Sequence, residues 1–148
     1  LGSGMSTWKV NGAGQVVIDK CITMERTNGA GQPDAEFRNI QRMAIAVHSL
    51  RYLRAGLSFR HANKAYADAN PGNLPAISTN ADIKADLIAL LRDLENRGLI
   101  ENVSETIKLL RVERDATNSS RCNIMIVADG VDPLDIFAGN LTFQRLNG

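Results

Sequence analysis

The sequence predicts an α+β fold, in which two main helices pack on a mixed β-sheet of about four strands. Apolar residues recur at helical spacing over residues 36–57 and 81–97, whereas residues 16–25 alternate between apolar and polar. Glycine, proline and asparagine cluster between these stretches, which is typical of turns. The predicted order along the chain is therefore β-α-loop-α-β-β-β.

Length and composition favour one globular domain. The chain has 148 residues, of which 44% are hydrophobic, enough to form a core without disulfide or metal support. Residues 1–4, before Met5, resemble the remnant of a cleaved expression tag, so we assign residues 5–148 to the single domain. Cys21 and Cys122 lie in apolar runs without the spacing of a metal site, and we expect buried free thiols in a reducing compartment and no metal.

The charge balance selects no partner. Lys and Arg number 17 against 16 Asp and Glu, and the net charge of +1 gives no general attraction for nucleic acid or anionic membranes. The chain contains no run of about 20 apolar residues and no basic-then-apolar leader. We therefore expect a protein made in the cytosol, with neither membrane nor nucleic acid as a partner.

The first predicted strand covers residues 16–25, whose apolar positions share one face: Val16, Ile18, Ile22 and Met24. The same pentapeptide, Asn-Gly-Ala-Gly-Gln, stands before it at residues 11–15 and after it at residues 28–32. A repeat this short indicates two glycine-rich turns. Trp8 and Val10, ahead of the first turn, could form a short hairpin partner for the strand or the end of a longer element that lies upstream.

The first predicted helix covers residues 36–57, with Asp34 as its N-cap and its end at Arg60 and His61. Its apolar positions form one broad arc: Phe37, Ile40, Ala44, Val47, Leu50, Leu53 and Leu57. We expect this arc to be core, and this helix to be the element on which the rest of the fold packs.

A long irregular stretch and a second helix follow. Residues 62–80 carry several turn signals and are predicted to form a surface loop. The second helix is predicted at residues 81–97, with Thr79 or Asn80 as N-cap and Gly98 as the C-terminal stop. Its apolar stripe consists of Ile83, Leu87, Leu90, Leu91 and Leu94.

The last third of the chain is predicted to contain three strands, at residues 110–113, 122–128 and 136–146. Before them, Ser104 and Glu105 could open a single helical turn. The middle strand is apolar on both faces, which predicts that it is buried. Asp129 and Gly130 are predicted to turn the chain into the last strand.

Residues that could carry chemistry are few. His48 lies among apolar residues of the first helix and His61 lies at its end, and neither stands beside a carboxylate, serine or cysteine in a recognisable motif. The glycine pairs in the two pentapeptides lack the third glycine and the preceding buried strand of a nucleotide fingerprint. The sequence therefore predicts no catalytic site and no cofactor.

Two arginines interrupt the apolar arc of the first helix. Arg51 and Arg54 enter the arc near the helix end, where an unpaired charge would be costly. Either they extend to solvent, or they pair with an acid on another strand or a neighbouring subunit. Glu113 is the predicted partner, because Leu110 and Val112 put its strand in the core.

A winged-helix DNA-binding domain is an alternative interpretation of residues 83–100 and the two strands that follow. The charges of this helix argue against it, since acids outnumber bases by four to three: Asp82, Asp86, Asp93 and Glu95 against Lys84, Arg92 and Arg97. A helix that reads a DNA groove should be clearly basic.

Taken together, the residues resemble the C-terminal domain of the tail sheath proteins of Mu-like contractile-tailed bacteriophages. The resemblance covers residues 16–143, and the chain departs from the family pattern after His61 and at residues 128–133. The matching pieces, in order, are Ile22-Thr23 with Asn28, Gly31 and Pro33-Asp34; Arg51-Tyr52-Leu53-Arg54; Arg60-His61; Ala89-Leu90 with Glu95, Gly98 and Glu101; Val112-Glu113-Arg114 with Asn118 and Arg121; and Phe137-Ala138 with Phe143.

This resemblance implies a structural protein rather than an enzyme. Subunits of such sheaths stack in rings around the tail tube, and their collective rearrangement drives the tube through the host envelope. The implied partners are other sheath subunits and the tail tube protein. The implied location is the contractile tail of the virion, after assembly in the host cytoplasm. Since sheath subunits are much longer, we expect this chain to be the innermost, C-terminal domain.

The expected subunit interface lies at the edges of the two terminal strands, where arms of neighbouring subunits could add strands. The interface residues would be Val16, Ile18, Ile22, Phe137, Leu141 and Phe143. The polar face of the second helix is expected to face the tube through Lys84, Arg92 and Arg97. Arg51, Arg54 and Glu113 are the expected structural ion pair.

Overall fold

A computed structural model describes residues 6–24, 27–33 and 39–132. Within these ranges three α-helices and eight short strands confirm the α+β class. The elements, in order, are β1 (Thr7–Val10), β2 (Val16–Lys20), α1 (Ile40–His61), β3 (Ala65–Tyr66), β4 (Ile77–Ser78), α2 (Asn80–Asn96), β5 (Ile100–Glu101), α3 (Val103–Leu109), β6 (Arg111–Arg114), β7 (Cys122–Met125) and β8 (Asp129–Gly130).

The strands of the described ranges form four separate pairs rather than the expected sheet of about four strands. The pairs β1–β2, β5–β8 and β6–β7 are antiparallel, and β3–β4 is parallel. The expected turn at Asp129 and Gly130 is instead strand β8, because its backbone pairs with Ile100 and Glu101 across a long stretch of sequence. The predicted last strand at residues 136–146 lies outside the described residues.

Helix α2 lies at the centre of the core, which corrects the expectation that the first helix organises the fold. All five residues of its predicted stripe are buried: Ile83, Leu87, Leu90, Leu91 and Leu94. They pack with Leu53 of α1 and with Ile100, Val103 and Leu110 from the segments that follow α2. Helix α2 therefore contacts the other elements of the core on its apolar side.

Most of the predicted apolar arc of α1 is exposed. Leu53 is buried and Leu57 is half-buried, whereas Ile40, Val47 and Leu50 face outward, Leu50 with 67% of its surface exposed. The arc was predicted to be core because helical spacing shows that apolar residues share a face. Spacing does not show that another element covers that face.

The start of α1 also differs from the prediction. Asn39 is the N-cap, and its side-chain oxygen accepts a hydrogen bond from the Gln41 backbone nitrogen at 3.0 Å. Asn39 itself is extended and bridges to Ile22, which fixes where the helix can begin. The predicted cap at Asp34 lies outside the described residues. The end at His61 agrees with the prediction.

Helix α2 begins and ends where the sequence indicated, to within one residue. Thr79 and Asp82 form a capping box, in which each side chain bonds the other's backbone nitrogen. The hydrogen bond from the Thr79 hydroxyl lowers the pKa of Asp82. Gly98 follows the helix with φ 68°, a conformation that a side chain would strain.

Helix α3 replaces the single turn expected near Ser104. It begins after Asn102, which has φ 55°, and Glu95 of α2 accepts a hydrogen bond from the Val103 nitrogen at 3.2 Å. Val103 and Thr106 are buried against the core. This tertiary contact extends a segment that local propensity marks only weakly.

The two identical pentapeptides adopt the same conformation. In each, the asparagine side-chain oxygen accepts hydrogen bonds from two backbone nitrogens further along the turn, at 2.9 to 3.0 Å. Gly14 and Gly31 both have φ 77°, which explains the glycine at that position. Both pentapeptides are turns, as predicted, and the first joins β1 to β2.

Two strands are less buried than predicted. In β2, Val16 and Ile18 are exposed, and burial on that face is confined to Ile22 beyond the strand. The strand predicted as buried at residues 122–128 contains β7. Within β7 Cys122 is half-buried and the other three residues are exposed. The β6–β7 hairpin packs one side on α2 and leaves the other side to solvent, so its outer residues cannot be core.

Candidate assembly surfaces

The β1–β2 hairpin has two different faces. On one face the Lys9 ammonium forms a 2.6 Å ion pair with Asp19, and the Thr7 hydroxyl donates to the same carboxylate. On the opposite face Trp8 lies across from Ile18, and Val10 lies across from Val16. We call these four residues the hairpin face. All four are exposed, Trp8 at 67% and Ile18 at 73%.

The hairpin face contains two of the six predicted interface residues. Val16 and Ile18 are accessible to a partner, whereas Ile22 is only 7% exposed. The other three predicted residues lie outside the described residues: Phe137, Leu141 and Phe143. Trp8 and Val10 were not predicted as interface residues. Their alternation with Lys9, opposite an apolar strand, was the signal that could have found them.

An open apolar groove of about 340 Å³ lies between the first half of α1 and strands β5 and β8. We call it the α1–β8 groove. It is lined by Arg42, Ile45, Ala46, Ser49, Leu50, Leu53, Ile100, Ile126, Ala128, Gly130 and Val131. The Ser49 hydroxyl oxygen is buried and has no hydrogen-bond partner among the described residues. The Arg42 guanidinium lies 3.0 Å from the Asp132 carboxylate.

Three side chains fix α1 to the C-terminal half of α2. The Tyr52 hydroxyl donates to the Asp93 carboxylate at 2.5 Å, which lowers the pKa of Asp93 and raises that of Tyr52. The Arg97 guanidinium forms a 2.8 Å ion pair with Asp93 and stacks on the Tyr52 ring, 4.7 Å from its centroid. Arg97 is therefore occupied within its own chain.

A second polar cluster joins the end of α1 to β4 and α2. The His61 ring nitrogen Nδ1 lies 2.9 Å from the buried Ser78 hydroxyl, and Nε2 lies 3.2 Å from an Asp86 carboxylate oxygen without hydrogen-bond alignment. Arg60 pairs with the other oxygen of Asp86 at 2.5 Å. Since Ser78 is buried, the cluster holds the end of α1 to β4 and α2.

Arg114 connects the β6–β7 hairpin to the loop after α1. Its guanidinium lies 2.7 Å from the Asp68 carboxylate, donates to the Tyr66 carbonyl, and stacks 4.8 Å from the Tyr66 ring centroid. Burial raises the pKa of Tyr66 to about 12, with a further contribution from the neighbouring Cys122 thiol. This network orders the stretch that the sequence predicted as loop.

Two of the three predicted tube-facing residues, Lys84 and Arg92, are exposed to solvent. Lys84 and Arg92 lie on the exposed side of α2 and form no ion pair with another described residue. Arg97 is exposed as well, but its charge is offset by Asp93. The polar face of α2 is therefore less basic than the sequence alone suggests.

The structure does not bring the predicted ion pair together. Arg51 and Arg54 point outward on α1, and Glu113 lies on the exposed side of β6. Within the described part of the chain none of the three forms an ion pair. The expectation of a buried pair depended on α1 having a covered apolar arc, which it lacks at these positions.

The described residues were found to contain neither a cluster of metal ligands nor a membrane-spanning helix. They include no group of three or more histidine, cysteine or acidic side chains that could hold a metal ion. His48 is exposed on α1. Within the described ranges no helix is long and apolar enough to cross a lipid bilayer.

Comparison with known proteins identifies the family. The model of the phage tail sheath C-terminal domain matches residues 33–144, which is most of the chain. The chain belongs to the phage tail sheath family. The family match begins after the β1–β2 hairpin, so the hairpin precedes the matched region.

A curated tail sheath relative matches the hairpin as well. The Mu-like prophage FluMu tail sheath protein of Haemophilus influenzae is 33% identical over 149 aligned positions, which cover 97% of this chain. The chain spans 30% of the length of that relative. No solved structure gives a significant match. The sheath resemblance drawn from the sequence is thereby confirmed.

Proposed function

We propose that this chain is the C-terminal domain of a tail sheath subunit that polymerises around a tail tube and contracts to drive the tube through a host envelope. The observation that carries the proposal is the family match over residues 33–144. The relative named as a Mu-like prophage tail sheath protein supports the same role. Because this chain spans 30% of that relative, the proposal concerns a longer subunit.

The β1–β2 hairpin supports assembly through strand addition. Strand β2 pairs with β1, and Val16 and Ile18 of β2 are exposed on the hairpin face. A short strand with exposed apolar residues can pair with a strand from another copy. Val16 and Ile18 would then lie at the contact, together with the proposed residues Phe137, Leu141 and Phe143 from the end of the chain.

The tail tube is the second proposed partner. Lys84 and Arg92 of α2 would face acidic groups of the tube protein. Each exposed ion pair contributes less than about 1 kcal/mol, so the contact would matter only when repeated around a ring. Weak single contacts would also allow the sheath to leave the tube surface during contraction.

We propose that the domain acts without catalysis, metal or cofactor. His61 and Asp86, which could have formed part of a reactive site, contact the buried Ser78 and the Arg60 side chain instead. Assembly would take place in the host cytoplasm and the product would be part of the virion tail, with no role for nucleic acid or membrane.

Electron microscopy of the full-length subunit tests the proposal. We expect negatively stained preparations to contain striated tubes or contracted sheaths. A uniform population of monomers under conditions that preserve the fold would argue against a sheath role. The winged-helix alternative predicts a salt-dependent gel shift with random duplex DNA, and micromolar binding at physiological salt would revive it.

A further inference from the structure

The hairpin face leaves the largest aromatic side chain of the molecule uncovered. A two-stranded hairpin is marginally stable in water on its own. Here the exposed Lys9–Asp19 ion pair lies on one face and contributes little to stability, whereas Trp8 and Val10 on the other face contact solvent. Exposed apolar groups concentrated on one small element indicate a contact surface.

The α1–β8 groove has the size and the lining to receive an aromatic side chain. Its volume of about 340 Å³ is at the small end of the range found for pockets that hold organic ligands, about 300 to 1,000 Å³. Its wall is mostly aliphatic, with Ile45, Leu53 and Ile126 among the lining residues. An indole ring, together with the apolar side chains beside it on the hairpin face, is small enough to fit a groove of this volume.

Two polar groups of the groove match the chemistry of tryptophan. A buried indole nitrogen needs a hydrogen-bond acceptor. The buried Ser49 hydroxyl oxygen has no hydrogen-bond partner among the described residues, so it is a candidate acceptor. Arg42 lines the same groove, and arginine stacks favourably on an indole face. An inserted aliphatic side chain could neither donate to Ser49 nor stack with Arg42.

We propose that Trp8 of one copy inserts into the α1–β8 groove of a neighbouring copy. Trp8 does not line the groove of its own chain, so the two surfaces are separate on one molecule. A contact between different patches of identical subunits is heterologous, and it generates rings or helical arrays rather than closed dimers. This inference rests on the proposed function, because a tail sheath is an assembly of repeated copies.

The contact can be tested with two variants that disable one surface each. Trp8→Ser removes the inserting side chain, which we call the knob, and keeps the groove. Ala46→Arg places a long charged side chain in the groove and keeps the knob, and Ala46 is exposed, so the core is untouched. We expect each variant to self-associate at least about tenfold more weakly than the parent chain in sedimentation experiments.

A mixture of the two variants gives the decisive readout. The intact knob of Ala46→Arg can still enter the intact groove of Trp8→Ser, so the mixture should form one-to-one heterodimers. Since the chain has one tryptophan, fluorescence of the mixture comes from Trp8 of the Ala46→Arg variant alone. Its emission should shift to shorter wavelength as Trp8→Ser is added, at protein concentrations up to about 1 mM because small interfaces are weak.

Matched controls separate this contact from general effects. Ala55→Arg adds the same charge at an exposed position of α1 that does not line the groove, and Lys9→Ala alters the opposite face of the hairpin. Both should associate like the parent. Loss of association in both controls, or an emission of Ala46→Arg that does not respond to Trp8→Ser, would overturn the proposal.

A crosslinking experiment identifies the occupant of the groove directly. A photoreactive benzoylphenylalanine in place of Ala46 should crosslink to residues 7–10 of another copy. Crosslinks to residues 133–148 of the same chain would show that the groove is filled internally and would refute the contact. If the full-length subunit forms tubes while these tests fail, the sheath function stands and only the Trp8 contact is wrong.

Discussion

Gly56 of α1 lies directly against Leu90 of α2. A Cβ atom built on Gly56 would lie 2.8 Å from both methyl carbons of Leu90, closer than real contacts allow. Leu90 is buried in the core and has little room to move. The two helices therefore approach each other at a point where one of them carries no side chain.

This contact predicts that Gly56→Ala destabilises the chain. Alanine gains about 1 kcal/mol of helix propensity, but overpacking a core typically costs about 1 to 3 kcal/mol, so we expect a small net loss of unfolding free energy. Urea denaturation measures it. In a Leu90→Ala background the same change should become neutral or stabilising, because the clash is removed. An increase in stability of the single variant would show that the helices can separate without cost.

Removing an apolar side chain should cost more unfolding free energy on α2 than on α1, whereas the sequence predicted that α1 organises the core. Leu91 of α2 is 1% exposed, and Leu91→Ala should cost about 2 to 5 kcal/mol. Leu50 of α1 is largely exposed, and Leu50→Ala should change the unfolding free energy of the isolated chain by less than about 0.5 kcal/mol. Equal losses at both positions would mean that the core extends over α1.

Helix α2 could be predicted because every local signal agreed. Thr79 supplies a cap, five aliphatic residues fall on one stripe, and Gly98 ends the helix in a left-handed conformation. Helix α1 gave an equally clear arc, yet Leu50 faces outward. Whether an arc is covered depends on which element packs opposite, and one sequence carries no direct information on that.

The sheets and surfaces were harder to predict for a similar reason. Strands β5 and β8 have two residues each, and they form only because Ile100 meets Gly130 from a distant part of the chain. The α1–β8 groove arises from the same long-range pairing, so no local sequence pattern predicts it. The hairpin, by contrast, was one of the two structures that the sequence allowed for Trp8 and Val10, although the exposure of its apolar face was not predicted.

The turn between β6 and β7 predicts an acid-sensitive contribution to stability. The Asp115 carboxylate accepts hydrogen bonds from the Asn123 side chain at 2.9 Å, from Thr117 and from the Asn118 nitrogen. The Asn123 bond is the largest of the causes that hold the pKa of Asp115 well below its ordinary value. A group with a lowered folded pKa stabilises above its unfolded pKa, about 3.9 for Asp, and loses that effect as pH falls.

Asp115→Asn should therefore destabilise the chain at neutral pH, with a deficit that is constant above about pH 5 and shrinks below about pH 4. Chemical denaturation of both proteins across this range measures the deficit. Ser120→Ala in the same turn adds no titrating group and should show a difference from the parent that does not vary with pH. A deficit of Asp115→Asn that stays constant down to pH 2 would contradict the assignment.

A deletion tests the proposed role of the chain end in assembly. A full-length subunit that stops at Asn140 keeps α2 and the core residues around it, so we expect it to fold. It should fail to form tubes, because the proposed strand at residues 136–146 is interrupted. Circular dichroism establishes folding and electron microscopy scores the tubes. Normal tubes from the shortened protein would place the linkage between subunits elsewhere.

The most direct test of the sheath assignment is a cryo-electron microscopy reconstruction of the assembled full-length subunit. We expect this domain to repeat on a helical lattice as the innermost layer, with Lys84 and Arg92 towards the tube and the β1–β2 hairpin against a neighbouring copy. A reconstruction in which the domain lies on the outer surface and contacts no other copy would contradict the proposed function.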